Sequence, residues 1–297
     1  HDIDQYYRLW GEPISRTYKG YDIWEIAPNG QGLTALIALG LLREDSSETF
    51  SDPDRIHRQI EAIKLAFADT LSYVADPKDM TIHPQSFLED SYLSARRALI
   101  SGHAQVPPPG EPEKGGTVYL AAADSSGTMV SLIQSNYMGF GSGLVVPETG
   151  ISLHNRGCNF SIDPAHPNAL APGKRPYHTI IPGFITKDGH PLGPFGVMGG
   201  FMQPQGHVQT VMNMIDFHMN PQEALDAPRW RWMEEKKIMV EKDFPKTVLQ
   251  NLTKRDHELE ITVDPAPFGR GQIILKGENG LLWGGTEKRC DGYIAVL

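Results

Sequence analysis

The chain reads as an α+β fold, helical in its first part and strand-rich in its second. Three observations predict this. Apolar residues recur at helical spacing from Ile56 to Val74. A stretch rich in proline and glycine interrupts the chain at residues 101–116. After it, short alternating segments separated by glycine turns replace the helical pattern. The 297 residues suffice for one large domain or two small ones, and a hydrophobic content of 40% can fill a sizeable core.

The elements follow in order. Residues 20–26 alternate and predict a strand, turned at Pro28-Asn29-Gly30-Gln31-Gly32. Leu33 to Leu42 is almost wholly apolar, so its helix should be buried. After Ser51-Asp52-Pro53 an amphipathic helix should present Ile56, Ile60, Ile63, Phe67, Leu71 and Val74 on one face and Arg55, Arg58, Gln59 and Lys64 on the other. It should end near Asp76-Pro77, and a second helical run follows from Ser91 to Ile100. Residues 101–116 carry four prolines and four glycines, the composition of a linker or of a surface loop.

Thr117 to Asp124 predicts a strand, turned at Asp124-Ser125-Ser126-Gly127, and Thr128 to Ser135 its partner. His178 to Thr186 should be another strand, turned at Lys187-Asp188-Gly189. Phe195 to Met198 leads into Gly199-Gly200 and then a helix over about Pro204 to Phe217, with Val208, Val211, Met212 and Ile215 on one face. Asn220-Pro221 opens a further helix with proline at its first position. Ile273 to Leu275 and Leu281 to Trp283 predict a last hairpin. Trp230 and Trp232 are expected at a helix end, and Met198, Met202 and the methionines of 211–219 in the core.

Composition excludes several functions. A net charge of −9 without a basic stripe argues against a nucleic-acid partner. No apolar run reaches the roughly 18 residues of a membrane span. The two cysteines, Cys158 and Cys290, have neither a disulfide framework nor zinc-ligand spacing, and Cys158 is expected as a buried thiol. Gly139-Phe140-Gly141-Ser142-Gly143 lacks the lysine of a phosphate loop, so no metal, nucleotide or other cofactor is expected. The sequence opens at His1-Asp2-Ile3-Asp4 with no initiator Met and no signal pattern; the expectation is a cytoplasmic protein whose true N-terminus lies upstream.

Thr117 is the candidate nucleophile that the chain offers. A threonine that opens a hairpin after Gly115-Gly116 is where a chain can cut itself. The freed α-amine titrates near ~8 and can take the proton from the residue's own hydroxyl. A glycine before the scissile bond tolerates the strain of that attack. Threonine is also common in strands, so spacing alone leaves an ordinary strand residue open. By the same measure Gly199-Gly200 is a turn, Ser135 a solvent-facing serine and His178 a satisfied structural histidine.

Thr117 to Asp124, Phe140-Gly141-Ser142-Gly143, Gly150-Ile151, Asn155, Phe160-Ser161, Gly173-Lys174-Arg175-Pro176 and Gly199-Gly200 resemble, in order and spacing, the small subunit of the gamma-glutamyltransferases. Upstream, Thr17-Tyr18-Lys19-Gly20-Tyr21, Glu61 to Asp69 and Asp76-Pro77 resemble the C-terminal part of that family's large subunit, and Asn220-Pro221, Ala227-Pro228-Arg229-Trp230 and Asp291-Gly292 extend the likeness downstream. The family is one of N-terminal nucleophile hydrolases. The resemblance implies a four-layer αββα sandwich lacking its N-terminal half, with residues 1–116 as the end of the large subunit and 117–297 as the small catalytic subunit.

The same resemblance makes Thr117 the nucleophile, Ser135 the hydroxyl that orients it, and Gly199 and Gly200 the oxyanion hole. It places His178 and Thr179 where paired serines contact the substrate carboxylate. Three positions depart from the common pattern: Asn159 stands for an aspartate that pairs with the γ-glutamyl ammonium, Arg156 for a nearby Gln or Glu, and Tyr137, after Asn136, for an asparagine. An amide cannot ion-pair an ammonium, and a guanidinium repels one while attracting carboxylate. The implied partners are a γ-glutamyl amide such as glutathione, or a related acyl amide, an amine or water acceptor, and the absent part of the large subunit. A glutaryl- or cephalosporin-type acylase on the same machinery and a non-catalytic or incomplete half-chain are the alternatives. Without the absent part, the faces Ile56-Ile60-Ile63-Phe67 and Val208-Val211-Ile215 are expected to lack cover.

Overall fold

The computed structural model describes residues 8–47, 49–106 and 116–296. Gly115 and most of the expected linker, residues 107–115, lie outside the described residues. The strands are β1 (Ile14–Tyr18), β2 (Tyr21–Glu25), β3 (Gly116–Ala123), β4 (Met129–Tyr137), β5 (Gly183–Lys187), β6 (His190–Met198), β7 (Trp230–Glu234), β8 (Lys237–Glu241), β9 (Glu258–Thr262), β10 (Arg270–Lys276) and β11 (Leu282–Thr286). The helices are α1 (Gly32–Leu42), α2 (Pro53–Tyr73), α3 (Asp90–Arg97), α4 (Met202–Asp216), α5 (Pro221–Asp226) and α6 (Lys246–Lys254). Short 3₁₀ turns punctuate the loops.

Six strands form one antiparallel sheet in the order β1-β2-β5-β6-β10-β11. The part of the chain before the linker thus supplies two strands to the sheet that the later part completes. Helices α1, α2 and α4 pack together, α1 and α4 also meeting the sheet at β1 and β6. The hairpin β3–β4 contacts β6 and β10. A three-stranded sheet, β7-β8-β9, joins β8 and β9 in parallel through α6 and touches α2 and α4 through β7.

Burial departs from the amphipathic reading. Every residue of α1 is buried, as its composition predicts. In α2 Ile56, Ile60, Ile63 and Phe67 of the apolar face are buried, yet Arg55, Gln59 and Lys64 of the expected solvent face are also 1% exposed. The reason is that α4, α6 and β7 also pack on α2. Arg55 lies over the rings of Phe50 and Phe217. Lys64 Nζ bonds Glu61 at 2.8 Å, and Gln59 Oε1 accepts from Trp230 Nε1. Trp230 and Trp232 sit on strand β7 and are buried there, rather than at a helix end.

The faces Ile56-Ile60-Ile63-Phe67 and Val208-Val211-Ile215, expected to lack cover, are buried. The expected strand His178–Thr186 is regular only from Gly183, because Pro182 offers no N–H to a ladder. Met198, Met202, Met212 and Met214 are in the core as expected. Among the described residues no helix is long and apolar enough to cross a membrane.

The hairpin is anchored from its inner face. Thr117 and Tyr119 point inward and are 6% exposed, while Val118 and Leu120 point outward at 62% and 54%. Tyr119 Oη pairs with Ser131 Oγ at 2.8 Å, and Ser131 Oγ donates to Gly183 O of β5. The Tyr119 ring lies where a side chain on Gly196 would stand, its nearest atom 2.5 Å from the place a Cβ would take. Gly196→Ala should therefore lift the hairpin and lower stability by about 1–3 kcal/mol. Gly157→Ala, which meets open space, should leave the denaturation midpoint unchanged. Equilibrium unfolding of the two variants checks this.

Candidate active site

The position of Thr117 follows from a register shift. Gly116 pairs with Tyr137 and Val118 with Gln134, so Ser135 and Asn136 together oppose Thr117. This bulge re-aims the side chains, and Thr117 Oγ1 donates to Ser135 Oγ at 2.9 Å. Ser135 Oγ also accepts from Tyr137 N at 2.9 Å, which closes the bulge, and Tyr137 takes φ +77°. Thr117 borders a cavity of about 410 Å³ shared with Tyr119, Met198, Arg270, Gln272 and Tyr293.

The glycine pair stands at the end of β6. Gly199 has φ +145° and Gly200 φ +59°, and a side chain on Gly199 would press on Gly269. Gly199 O accepts from Met202 N and Gly200 O from Gln203 N, at 3.0 and 3.1 Å. The Gly199 carbonyl therefore points into the first turn of α4. In a planar trans peptide the Gly200 N–H points the opposite way, out of the helix. That is the orientation an anion-binding N–H needs.

A buried pair holds the approach to this turn. β6 runs past the start of β5, where Gly183 pairs with Phe195, so Val197 N has no strand partner on that side. His207 Nε2 of α4 accepts from it at 3.1 Å. The bond fixes the tautomer: Nδ1 carries the proton and donates to Glu25 Oε1 at 2.6 Å. Both side chains are fully buried, and burial raises the Glu25 pKa against the pull of His207.

The expected substrate-binding residues Arg156, Asn159, His178 and Thr179 gather on a separate wall, apart from the cavity beside Thr117. Arg156 begins a 3₁₀ turn, Arg156–Asn159, and is 0% exposed. Its Nη1 donates to Thr179 Oγ1 at 2.8 Å, and its guanidinium lies 5.2 Å from the centroid of the Tyr137 ring. Burial lowers its pKa to about 10, so it stays charged at neutral pH. Its Nε and Nη2 have no hydrogen-bond partner among the described residues.

Asn159 Nδ2 donates to Tyr177 O, and His178 Nδ1 accepts from Ile180 N. Asn136 is engaged through its carbonyl, which accepts from Asn155 N. None of Asn136, Arg156, Asn159, His178 and Thr179 borders the cavity beside Thr117. Cys158 is exposed, not buried as expected, because the turn that sends Arg156 inward leaves residue 158 outside.

Two side chains escape sequence reasoning. Gln31 is 0% exposed, and its Nε2 donates to Thr179 O at 2.6 Å and to Gly200 O at 2.9 Å. The sequence signal is only that a glutamine, a poor helix cap, precedes an apolar helix. Arg231 of β7 is buried, donates to Pro267 O and interacts with Tyr137. Its alternation with Trp230 and Trp232 gave no hint of burial. Elsewhere His57, Glu61 and His257 form a buried grouping of metal-ligating types, but hydrogen bonds already engage them. His57 bonds His257 and Ser101 O at 2.8 Å each, and Glu61 accepts from Lys64 and from Gln105 N.

Comparison with known proteins gives the class. A family model described as gamma-glutamyltranspeptidase matches residues 1–297, and the chain belongs to that family. It is 35% identical over 291 residues to the glutathione hydrolase-like YwrD proenzyme of Bacillus subtilis (strain 168), covering 95% of this chain and 55% of that one. It is 34% identical over 289 residues to the oxamate amidohydrolase proenzyme of Klebsiella pneumoniae, again covering 95% and 55%. The crystal structure of cephalosporin acylase from Bacillus halodurans superposes with a TM-score of 0.94 at 56% identity, covering 99% of this chain and 54% of that one. The chain thus spans about half the length of these relatives.

The histidines supply a test. Burial, then the charges of Arg156, His154 and Arg175, push the His178 pKa to about 3. Burial, then Lys64, His57, Arg255 and Lys236, does the same to His257. Unfolded, each ring takes a proton below about 6.5; folded, each stays neutral down to about 3. Stability present above pH ~6.5 should therefore fall as pH drops from there toward 3. Ring resonances of His178 and His257 should hold their neutral positions from pH 8 to pH 5 in an NMR titration. Either ring titrating near 6.5 would contradict the assigned environments.

Proposed function

We propose that the chain is the catalytic part of a self-processing threonine-nucleophile amidohydrolase and acyltransferase. The observation that carries this reading is Thr117 Oγ1 held on Ser135 Oγ at the head of a hairpin. Thr117 Oγ attacks the Gly116 carbonyl, the C–N bond breaks, and the acyl group passes from nitrogen to oxygen. That step frees the α-amine, which takes up the Oγ proton; water then hydrolyses the ester, leaving the Gly116 carboxylate and restoring the Thr117 hydroxyl. In turnover the amine takes the Oγ proton as Oγ attacks a substrate amide. Gly199 and Gly200 N–H groups hold the oxyanion, a type of contact worth about 3–4 kcal/mol per donor. The amine returns the proton to the leaving amine, and water or an amine acceptor releases the acyl group.

The acyl group is one that carries a carboxylate and no α-ammonium. Burial first, and then neighbouring charge, keep His178 neutral; the guanidinium groups of Arg156 and Arg175 make this wall electropositive. Asn159 offers an amide where an ammonium would need a carboxylate. The Arg156 Nε and Nη2 protons lack acceptors among the described residues, which an anionic group would supply. Glutaryl-type amides fit better than γ-glutamyl ones. The names glutathione hydrolase-like, oxamate amidohydrolase and cephalosporin acylase among its relatives span this range. The glutathione reading keeps its support from the family.

The same proposal divides the chain at Gly116-Thr117 into the end of a large subunit and a small catalytic subunit. The outward face of the hairpin exposes Val118, Leu120, Val130 and Leu132. An apolar sheet face of this kind calls for a covering layer. The N-terminal part of the large subunit would supply it and complete a four-layer αββα sandwich.

Two measurements test the reading. Thr117→Ala should leave one uncut chain without activity, read by intact mass; an active but uncut wild-type protein would refute self-processing. Asn159→Asp should raise the γ-glutamyl to glutaryl ratio of kcat/KM on matched anilides by about tenfold or more, the worth of a charge-assisted contact. An unchanged ratio would show that position 159 does not read the amine.

A further inference from the structure

We propose that Gln31 is a positioning residue that locks the oxyanion turn to the acyl-binding segment. The inference rests on the roles given above to Gly199, Gly200 and Thr179. Gln31 precedes α1, where a Ser, Thr, Asp or Asn would cap the helix, and its side chain makes no capping bond. Instead the two Nε2 protons go to two carbonyls far apart in sequence, Thr179 O at 2.6 Å and Gly200 O at 2.9 Å. The backbone around it is fixed as well. Gln31 N donates to His178 O at 3.0 Å, and His178 N donates to Asn29 O at 2.8 Å.

The bonds form a continuous chain. Arg156 holds the Thr179 side chain, Gln31 holds the Thr179 main chain, and the same amide holds Gly200. Gly200 O is fixed by both Gln31 and Gln203 N. That orients the peptide beyond Gly200 and, with Gly199 O on Met202 N, the Gly200 N–H itself. An acyl group gripped at 178–179 is thereby kept at a set distance from the N–H that stabilises its oxyanion. Asparagine is too short to span the two carbonyls. Glutamate has the length but no protons when ionised, and methionine has the length and no polarity. Gln31 Oε1 makes no hydrogen bond among the described residues, so the donors alone account for an amide here.

A positioning fault of about 1 Å can lower a rate about a hundredfold. Gln31→Met and Gln31→Glu in the full-length protein are therefore expected to lose about ten- to a hundredfold in kcat on a glutaryl anilide. The Ki of a carboxyalkyl boronate, which forms a tetrahedral adduct on Thr117 Oγ, should rise by a similar factor. The Ki of glutarate, a ground-state mimic, should change less than about twofold, since the wall that binds its carboxylate is kept.

Gln31→Glu adds a signature that a general structural role would not give. Its activity relative to wild type should recover as pH falls, because a protonated carboxyl can again donate one bond. Independently of any substrate, the carbonyl ¹³C resonances of Thr179 and Gly200 should move in both variants. Unmoved carbonyl resonances, or a boronate Ki equal to wild type in both variants, would overturn the inference. A wild type that turns over no acyl anilide would refute the proposed function instead, and the carbonyl resonances would still decide the role of Gln31.

Discussion

The end of β6 is the constraint on which the rest of the structure depends. This strand lies between β5 and β10 in the six-stranded sheet and runs beyond its neighbour on one side. A backbone N–H left unpaired in a dry interior costs about 1–3 kcal/mol, and Val197 N is in that position. His207 relieves it, and Glu25 holds His207 in the tautomer that can accept. Three elements, β2, α4 and β6, are thereby tied at one point, two residues before the glycine turn. The turn can then take the left-handed conformations that aim its N–H outward, because what precedes it does not move.

Buried polar groups serve the same purpose elsewhere. Lys64 and Glu61 form an ion pair with side chains 1% and 2% exposed. Such pairs add little net stability over apolar packing, but removing one partner costs about 3–5 kcal/mol. Lys64 also donates to Gln105 O, and Glu61 accepts from Gln105 N. The segment that leads toward Thr117 is thus pinned to α2 up to residue 105. His57 and His257 fasten the same helix to the start of β9.

Charge gives the candidate site its character. The wall around Thr179 collects the guanidinium groups of Arg156 and Arg175, and the neutral state of His178 reflects first its burial and then that positive charge. A carboxylate is attracted by such a wall and an ammonium repelled. The buried Arg156 guanidinium also packs on Tyr137, whose backbone closes the bulge beside Thr117. The Arg156 side chain therefore links Thr179 to the bulge beside Thr117, and a substitution at Arg156 acts on both.

Much of this was legible in the chain itself. Strand alternation and a glycine turn locate the hairpin that Thr117 opens, since period-two burial and positive φ are local properties. The uniform apolarity of α1 announces its burial, and Asn220-Pro221 announces a helix start that the structure closes with a full capping box. The resemblance of several motifs in one order is what singles out Ser135 and Gly199-Gly200 as candidates. What only the tertiary structure decided are pairings between distant segments. Gln31 meets Thr179 and Gly200 across 148 and 169 residues. Arg55, Gln59 and Lys64 are buried because other elements cover the face that periodicity assigns to solvent. Cys158 is exposed because one residue in its turn, Arg156, takes the inward place. Periodicity reports which side of an element is apolar; it carries no information about which polar groups will find partners when two elements close on each other.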